Sequence, residues 1–210
     1  MRITKIGHCC LILEEGDLKI LTDPGAFTTE QEDVTEVDVV LITHEHFDHY
    51  HVPSLKKVLS NNPNAIVVTN KAVGELLDKE GIAYTKVGDG GSTTVKGVLI
   101  EGFGEKHGEV YGGLPTVENT GYFVANKFYF PGDSLHDPKR PVDVLALPVA
   151  GPWLKMSEVI EYAKTVHPRV AFPVHDGWKP QEVWWKFPAE VLPTFGIEFI
   201  TLKDGESQDF

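Results

Sequence analysis

The passage from Val37 to His49 constrains this chain more than any other. Residues 37–43 are almost wholly apolar and β-branched, the pattern of a strand buried on both faces. Four side chains able to bind metal follow at once: His44, His46, Asp48 and His49. A helix with proline in its first turn comes next, from Pro53 to Ser60. Three histidines and one aspartate therefore leave the end of a buried strand on a short loop, where side chains can converge. Imidazole and carboxylate suit first-row divalent ions, zinc, manganese and iron among them. His44 and His46, one residue apart, can share one ion, and Asp48 and His49 can reach a second beside it. The plain alternative is a solvated histidine-rich loop. Packing or hydrogen bonding asks less of histidine than four potential ligands within six positions.

Elsewhere short apolar runs alternate with turn residues. Leu11–Leu13 and Leu18–Thr22 flank Glu14-Glu15-Gly16-Asp17 and read as a hairpin. Strands are expected at 66–68, 82–84, 95–103, 142–148 and 170–174, with a last one at 197–202 closing the chain. A second hairpin is expected around Ala125-Asn126. Helices are expected at 71–79, 157–165 and 180–191. Hairpins early and strand–helix alternation later point to an α/β architecture, two mixed sheets facing each other with helices outside.

The chain has 210 residues, and no linker, repeat or low-complexity tract divides it, so one domain spanning 1–210 is expected. Hydrophobic content of 41% and charged content of 24% are ordinary for a globular protein and exclude disorder. Nineteen basic against 31 acidic residues leave a formal charge of −12, which argues against nucleic-acid binding, because phosphate affinity rests on clustered Lys and Arg. It leaves a small anionic substrate open. The only cysteines, Cys9 and Cys10, are adjacent and make no disulfide framework. No signal peptide or membrane-length apolar run is read, so a cytoplasmic protein with no membrane partner is expected.

With these motifs in order, the sequence resembles the metallo-β-lactamase fold superfamily of metal-dependent hydrolases. Beyond the His44–His49 loop, the resemblance rests on Asp23 in Thr22-Asp23-Pro24-Gly25, His107 in Glu105-Lys106-His107-Gly108, Asp133 in Pro131-Gly132-Asp133-Ser134 and His175 in Phe172-Pro173-Val174-His175. The opening Gly7-His8-Cys9 is most similar to the short branch that includes ascorbate-phosphate lactonases. The resemblance implies a four-layer αββα sandwich and two divalent ions, zinc first, with manganese, iron or nickel compatible. It assigns His44, His46 and His107 to one ion and Asp48, His49 and His175 to the other, with Asp133 bridging them. Asp23 would hold a ligand histidine in its tautomer, or else merely cap its Asp-Pro-Gly turn.

The implied chemistry is hydrolysis of a small ester, lactone or phosphoester by a metal-bridging hydroxide. Asp48 would both bind metal and orient that hydroxide. His8 is expected either to line the pocket, as a candidate catalytic residue, or to be a buried structural histidine, and His136 either to protonate the leaving group or to be an ordinary loop residue. His51 and His167 are placed at the surface or at helix ends. Loops carrying Tyr111, Gly112, Gly113 and Pro115, and Trp153 and Met156, are expected to wall the cleft. The aromatic run Trp178–Phe187 reads as a core helix face, a cleft wall or a contact between copies in a homo-oligomer. Two other function classes remain: a redox or oxygen-active iron protein of the dioxygenase type, and a non-catalytic metal-binding protein. The flavodiiron pattern has a glutamate where His46 stands, sulfur dioxygenases tend to lack the second-site ligands, and common β-lactamases have cysteine where Asp133 stands.

Overall fold

The computed structural model describes residues 1–112 and 114–210; Gly113, expected in the cleft wall, lies outside the described residues. The first sheet holds β1 (Arg2–Gly7), β2 (Cys10–Glu15), β3 (Leu18–Thr22), β4 (Val39–Ile42), β5 (Ile66–Thr69), β6 (Tyr84–Lys86) and the last strand of the chain, β14 (Ser207–Asp209). Its order is β14-β1-β2-β3-β4-β5-β6. The second holds β7 (Ser92–Val95), β8 (Val98–Phe103), β9 (Gly121–Val124), β10 (Phe128–Phe130), β11 (Val144–Pro148), β12 (Val170–Val174) and β13 (Glu198–Phe199). These pair in sequence order from β7 at one edge to β13 at the other. Each sheet begins as an antiparallel meander and turns parallel partway, at β3–β4 in the first and β10–β11 in the second. Parallel neighbours need crossovers. Four of the six are helical, α1 (Val52–Asn61), α2 (Lys71–Lys79), α3 (Met156–Val166) and α4 (Glu182–Val191), whereas β3–β4 is bridged by residues 23–38 and β10–β11 by residues 131–143.

The period-two alternation of strand side chains assigns the layers. Along β4, Val39 and Leu41 face the other sheet with Ile3, Leu11 and Leu13, and meet Tyr122, Phe128, Phe130 and Phe172. Val40 and Ile42 face outward beneath Leu55 and Val58 of α1 and Val73 and Leu77 of α2. On β11, Val144 and Ala146 point inward, whereas Leu145 and Leu147 point out beneath α3 and α4. That is why β4 and β11 are apolar at every position: both of their faces are covered. Each such Val or Leu contributes about 1.5–3 kcal/mol by burial. The result is the expected αββα sandwich of two mixed sheets.

Four expectations change, the first being that the strand expected at 82–84 runs from Tyr84 to Lys86. The apolar run 95–103 is not one strand, because Lys96 (φ 47°) and Gly97 (φ 81°) reverse the chain between β7 and β8. The same left-handed geometry at Ala125 and Asn126 forms the expected hairpin. The strand expected at 197–202 shrinks to β13, and the chain closes on β14 instead, antiparallel to β1. Ser207, Gln208 and Asp209 form an exposed polar edge, so they carry no apolar alternation to read. The helix expected from Pro180 starts at Glu182.

Candidate metal centre

The residues that follow β1, β3, β4, β10 and β12 meet at one edge of the sandwich. His8, Asp23 and His175 all hold positive φ (52°, 36° and 58°), a conformation that is costly away from glycine. Three left-handed non-glycine residues at three strand ends mark where the backbone bends to aim side chains inward. The Asp23-Pro24-Gly25 turn packs directly on the metal-ligand loop: Ala26 N–H donates to the Phe47 carbonyl (2.9 Å), and a Cβ on Gly25 would lie 1.8 Å from the Asp48 carbonyl oxygen. Only glycine fits there.

Two groups of four donor atoms form, each with its atoms within 4.8 Å of one another, and a third of three, Cys9, His49 and Asp133, overlaps both. One group of four is His44, His46, His107 and Asp133; the other is His8, Asp48, His49 and His175. Asp133 stands between them, with Oδ2 3.2 Å from His107 Nε2 and 2.8 Å from His175 Nε2, and Oδ1 3.1 Å from His49 Nε2. The structure thus brings together all seven side chains that the resemblance assigns to metal, and adds His8. It does not bring in His136, which is exposed with its ring over Gly104. His51 begins α1 and bonds Ser54, and His167 ends α3.

Outer hydrogen bonds fix the tautomers. Thr43 Oγ1 donates to Asp23 Oδ2 (2.8 Å), so it can only accept from His44 Nδ1 (3.0 Å). His49 Nδ1 donates to Asp23 Oδ2 (2.7 Å), His107 Nδ1 to the Gly108 carbonyl (2.7 Å) and His175 Nδ1 to the Ala150 carbonyl (2.6 Å). Each of these four rings therefore turns Nε2 inward, as a lone pair whenever the ring is neutral. The Nε2 atoms of His49 and His175 and Oδ1 of Asp133 are buried without a hydrogen-bond partner. Buried polar atoms left unpaired are costly. Inward lone pairs on imidazole and carboxylate, left unpaired and facing one another, fit divalent metal ions.

His8 behaves in the opposite sense. Its Nδ1 accepts the Gly177 N–H (3.1 Å), so its Nε2 carries the proton and donates it to Asp48 Oδ2 (3.1 Å). Burial pulls the His8 ring down to about 4, which keeps it neutral at pH 7. Burial opposes the charge on Asp48, but the His8 hydrogen bond and nearby His49 outweigh it and bring the carboxyl down to about 2. Burial holds His44 well below the ordinary histidine value. Burial also works against a charged His49, yet Asp133 and then Asp23 raise it well above that value. Asp23 is itself pushed up by burial, so the His49 charge leans mainly on Asp133.

Several supporting residues carry no motif. Asn119 accepts the Asp133 N–H (3.0 Å) and donates to the Pro131 carbonyl (2.9 Å), which fixes the Gly-Asp-Ser turn. Trp153 Nε1 donates to Asp133 Oδ2 (3.0 Å). Lys5 is fully buried; its Nζ donates to Asp176 Oδ2 (2.6 Å) and to the Pro173 carbonyl (2.9 Å), while Trp185 Nε1 donates to the same carboxylate oxygen (2.7 Å). This clamp ties the His175-Asp176-Gly177 turn to β1, and so sets both His175 and His8. Its one sequence signal is that Lys5 shares the inward face of β1 with Ile3. Cys9 and Cys10 are buried, and burial pushes both thiols well up, which leaves them unreactive.

The cleft over these ligands is about 350 Å³ and is walled by Phe27, Phe47, Val110, Pro152, Trp153 and Trp178, with no Lys or Arg among its lining residues. The aromatic run 178–187 divides: Trp185 is core, Trp178 packs on the His175 ring at 5.1 Å, and Val183 and Phe187 are exposed. No helix among the described residues is long and apolar enough to cross a membrane.

Residues 2–175 match the family model described as the beta-lactamase superfamily domain. A Mycobacterium tuberculosis protein, Rv0786c, is 34% identical over 180 residues, covering 83% of this chain and 84% of its own. A Thermoplasma acidophilum protein named as a UPF0173 metal-dependent hydrolase is 27% identical over 192 residues, covering 83% of each. Among solved structures, a putative metal-dependent hydrolase from Parabacteroides distasonis superposes with TM-score 0.79 at 22% identity, over 97% of this chain and 93% of that one. Together with the convergent histidine and aspartate ligands, these matches show that the chain belongs to the beta-lactamase superfamily of metallo-hydrolase fold.

Proposed function

We propose that the protein is a metal-dependent hydrolase that holds two divalent ions and cleaves a small, neutral ester or lactone. One observation carries the reading: His44, His49, His107 and His175 each have Nδ1–H tied to an outer acceptor, so four Nε2 lone pairs converge around Asp133. His44, His46 and His107 would hold one ion, Asp48, His49 and His175 the other, and Asp133 both. Zinc suits this donor set first, with manganese, iron or nickel compatible. When bound, such ions supply a hydroxide near neutral pH and polarise a carbonyl oxygen.

The chain's own side chains do the positioning. His8 Nε2–H holds Asp48 Oδ2, which leaves Oδ1 to orient a water. Asp23 holds His49 directly and His44 through Thr43. Trp153 Nε1–H steadies Asp133 on the side away from His49. The aromatic walls keep bulk water from the scissile bond. His136 takes no part.

The walls also choose the substrate class. A phosphorylated substrate calls for Arg or Lys beside the ions, and the cleft lining has neither. Aromatic and apolar walls suit a neutral carbonyl compound, so the phosphoester branch of the expectation drops behind the ester and lactone branches. A reducing, cytoplasmic setting fits two buried, unpaired cysteines.

The test combines metal analysis with turnover of p-nitrophenyl acetate, γ-butyrolactone and bis-p-nitrophenyl phosphate. The expected result is two metal equivalents per chain and ester or lactone turnover that a chelator abolishes and added metal restores. Hydrolysis of the phosphodiester alone, or dioxygen uptake with iron and no hydrolysis, would overturn the reading.

A further inference from the structure

Beside the metal cleft runs a second cavity of about 570 Å³, lined in part by Val149, Ala150, Pro152, Leu154, Met156 and Trp184. Pro152 and Trp178 line both spaces, so the cavity and the cleft share a wall. Its lining contains no charged residue. Three of the polar groups along it are already engaged. The Ala150 carbonyl accepts His175 Nδ1–H, the Gly151 carbonyl accepts the Leu154 N–H, and Trp184 Nε1 donates to the Trp178 carbonyl. Leu154, Met156 and Trp184 pack partly on the core beneath α3 and α4 and leave their remaining surface to the groove. Trp178 stands at the junction, over the rings of His175 (5.1 Å) and His8 (5.5 Å). A groove of this size with a mainly apolar, uncharged lining offers a ligand chiefly apolar contact.

We propose that this groove is the subsite for a hydrocarbon arm of the substrate, attached to the carbonyl that reacts over the metal ligands. The inference rests on the ester or lactone reading of the cleft and adds the class of compound: neutral esters or lactones carrying a medium-length alkyl or aryl arm. The scissile carbonyl lies in the smaller cleft, and the arm passes Trp178 and Pro152 into the larger groove. The shared wall decides this occupant, since anything bound in the groove lies next to the ligand His175. Leu154 and Met156 set how long an arm is accepted.

Two measurements test this. The metal-loaded protein is assayed with p-nitrophenyl esters from acetate to octanoate and with γ-lactones from butyrolactone to decalactone. The metal-free protein is titrated with octanamide while tryptophan emission is followed, since Trp178 and Trp184 line the groove. Each added methylene buries apolar area, so kcat/KM is expected to rise about tenfold or more between two and six carbons, chiefly through KM. Octanamide is expected to shift the emission. The variants Met156→Lys and Leu154→Gln should flatten the length profile and weaken the emission response. Turnover with a flat profile and no emission change would overturn the groove while leaving the hydrolase reading intact. No turnover of any ester or lactone, with an emission response that both variants abolish, would sink the ester or lactone reading and leave an apolar binding groove.

Discussion

The floor and the wall of the cleft are built by opposite rules. The floor is polar, buried and over-determined: every ligand histidine except half-buried His46 has its second nitrogen tied to a named acceptor. The wall is apolar and held mainly by packing, with Phe27, Trp178 and His8 meeting edge to face or tilted at 4.7–5.8 Å. Hydrogen-bonded donor sets tolerate little change, because an unpaired buried partner is left behind by each deletion. Packed walls tolerate exchange and change what fits. Floor substitutions should therefore act on rate and metal content, and wall substitutions on substrate preference. The comparison breaks if either set acts on the other's property.

The largest effect is expected at Asp48. Asp48→Ala removes a proposed ligand and the acceptor of His8 Nε2–H, and turnover should fall by about a thousandfold or more. Metal content should drop from two equivalents towards one. Activity within tenfold of the parent at full metal content would remove the proposed mechanism. Next comes Asp23→Asn. The amide can still accept from Thr43 but no longer holds His49 as a carboxylate does, so metal affinity or activity should fall about 10–100-fold. Isothermal titration of the metal-free variant measures it.

A third prediction concerns pH, in the metal-free protein. The Asp48 carboxyl lies at about 2 when folded, against an ordinary value of 3.8. A depressed folded value stabilises the fold above the ordinary value, and that contribution fades as pH falls through the folded one. Asp48 should therefore contribute about 2 kcal/mol at pH 6, of which about 1 kcal/mol is gone by pH 3. Urea unfolding of chelated protein across this range reads it. In His8→Phe both the largest lowering influence on Asp48 and the titration of His8 itself, which lies at about 4 when folded, are missing, so the pH slope between 6 and 3 should become shallower. An unchanged slope would mean that His8 does not hold Asp48.

The floor was largely legible in the sequence because its ligands follow strand ends, and strands such as β4 announce themselves by unbroken apolar runs. The tight turns at Ala125-Asn126 and Gly16-Asp17 were legible for the same local reason. What escaped was non-local. Lys5 and Asp176 lie 171 positions apart, and only the closed sandwich makes them a pair. The sequence puts His8 near the pocket, but its proton-donating role depends on the Gly177 N–H, 169 positions away. The turn at Lys96-Gly97 was hidden because apolar residues flank it on both sides. The wall was the least legible part, since Phe27, Val110 and Trp178 are residue types that serve equally well in a core. Only their solvent-facing position at the ligand edge tells them apart.

The smallest expected effect is at Phe47, and it is the sharpest test of the division between floor and wall. Phe47 sits inside the ligand motif, between His46 and Asp48, yet its side chain is 62% exposed and packs edge to face on Phe27 at 5.6 Å. Position in sequence makes it floor; position in space makes it wall. Exposed side chains away from special backbone positions change stability by about 0.5 kcal/mol or less, so Phe47→Ser should leave the unfolding midpoint nearly unmoved. Its backbone carbonyl still accepts the Ala26 N–H, so the loop keeps its shape and metal content should stay at the parent level. What should change is KM for esters with apolar arms, by a few-fold, while the metal-binding isotherm overlays that of the parent. A loss of metal with unchanged substrate preference would show that the whole His44–His49 loop acts as floor, and that the wall begins only beyond it.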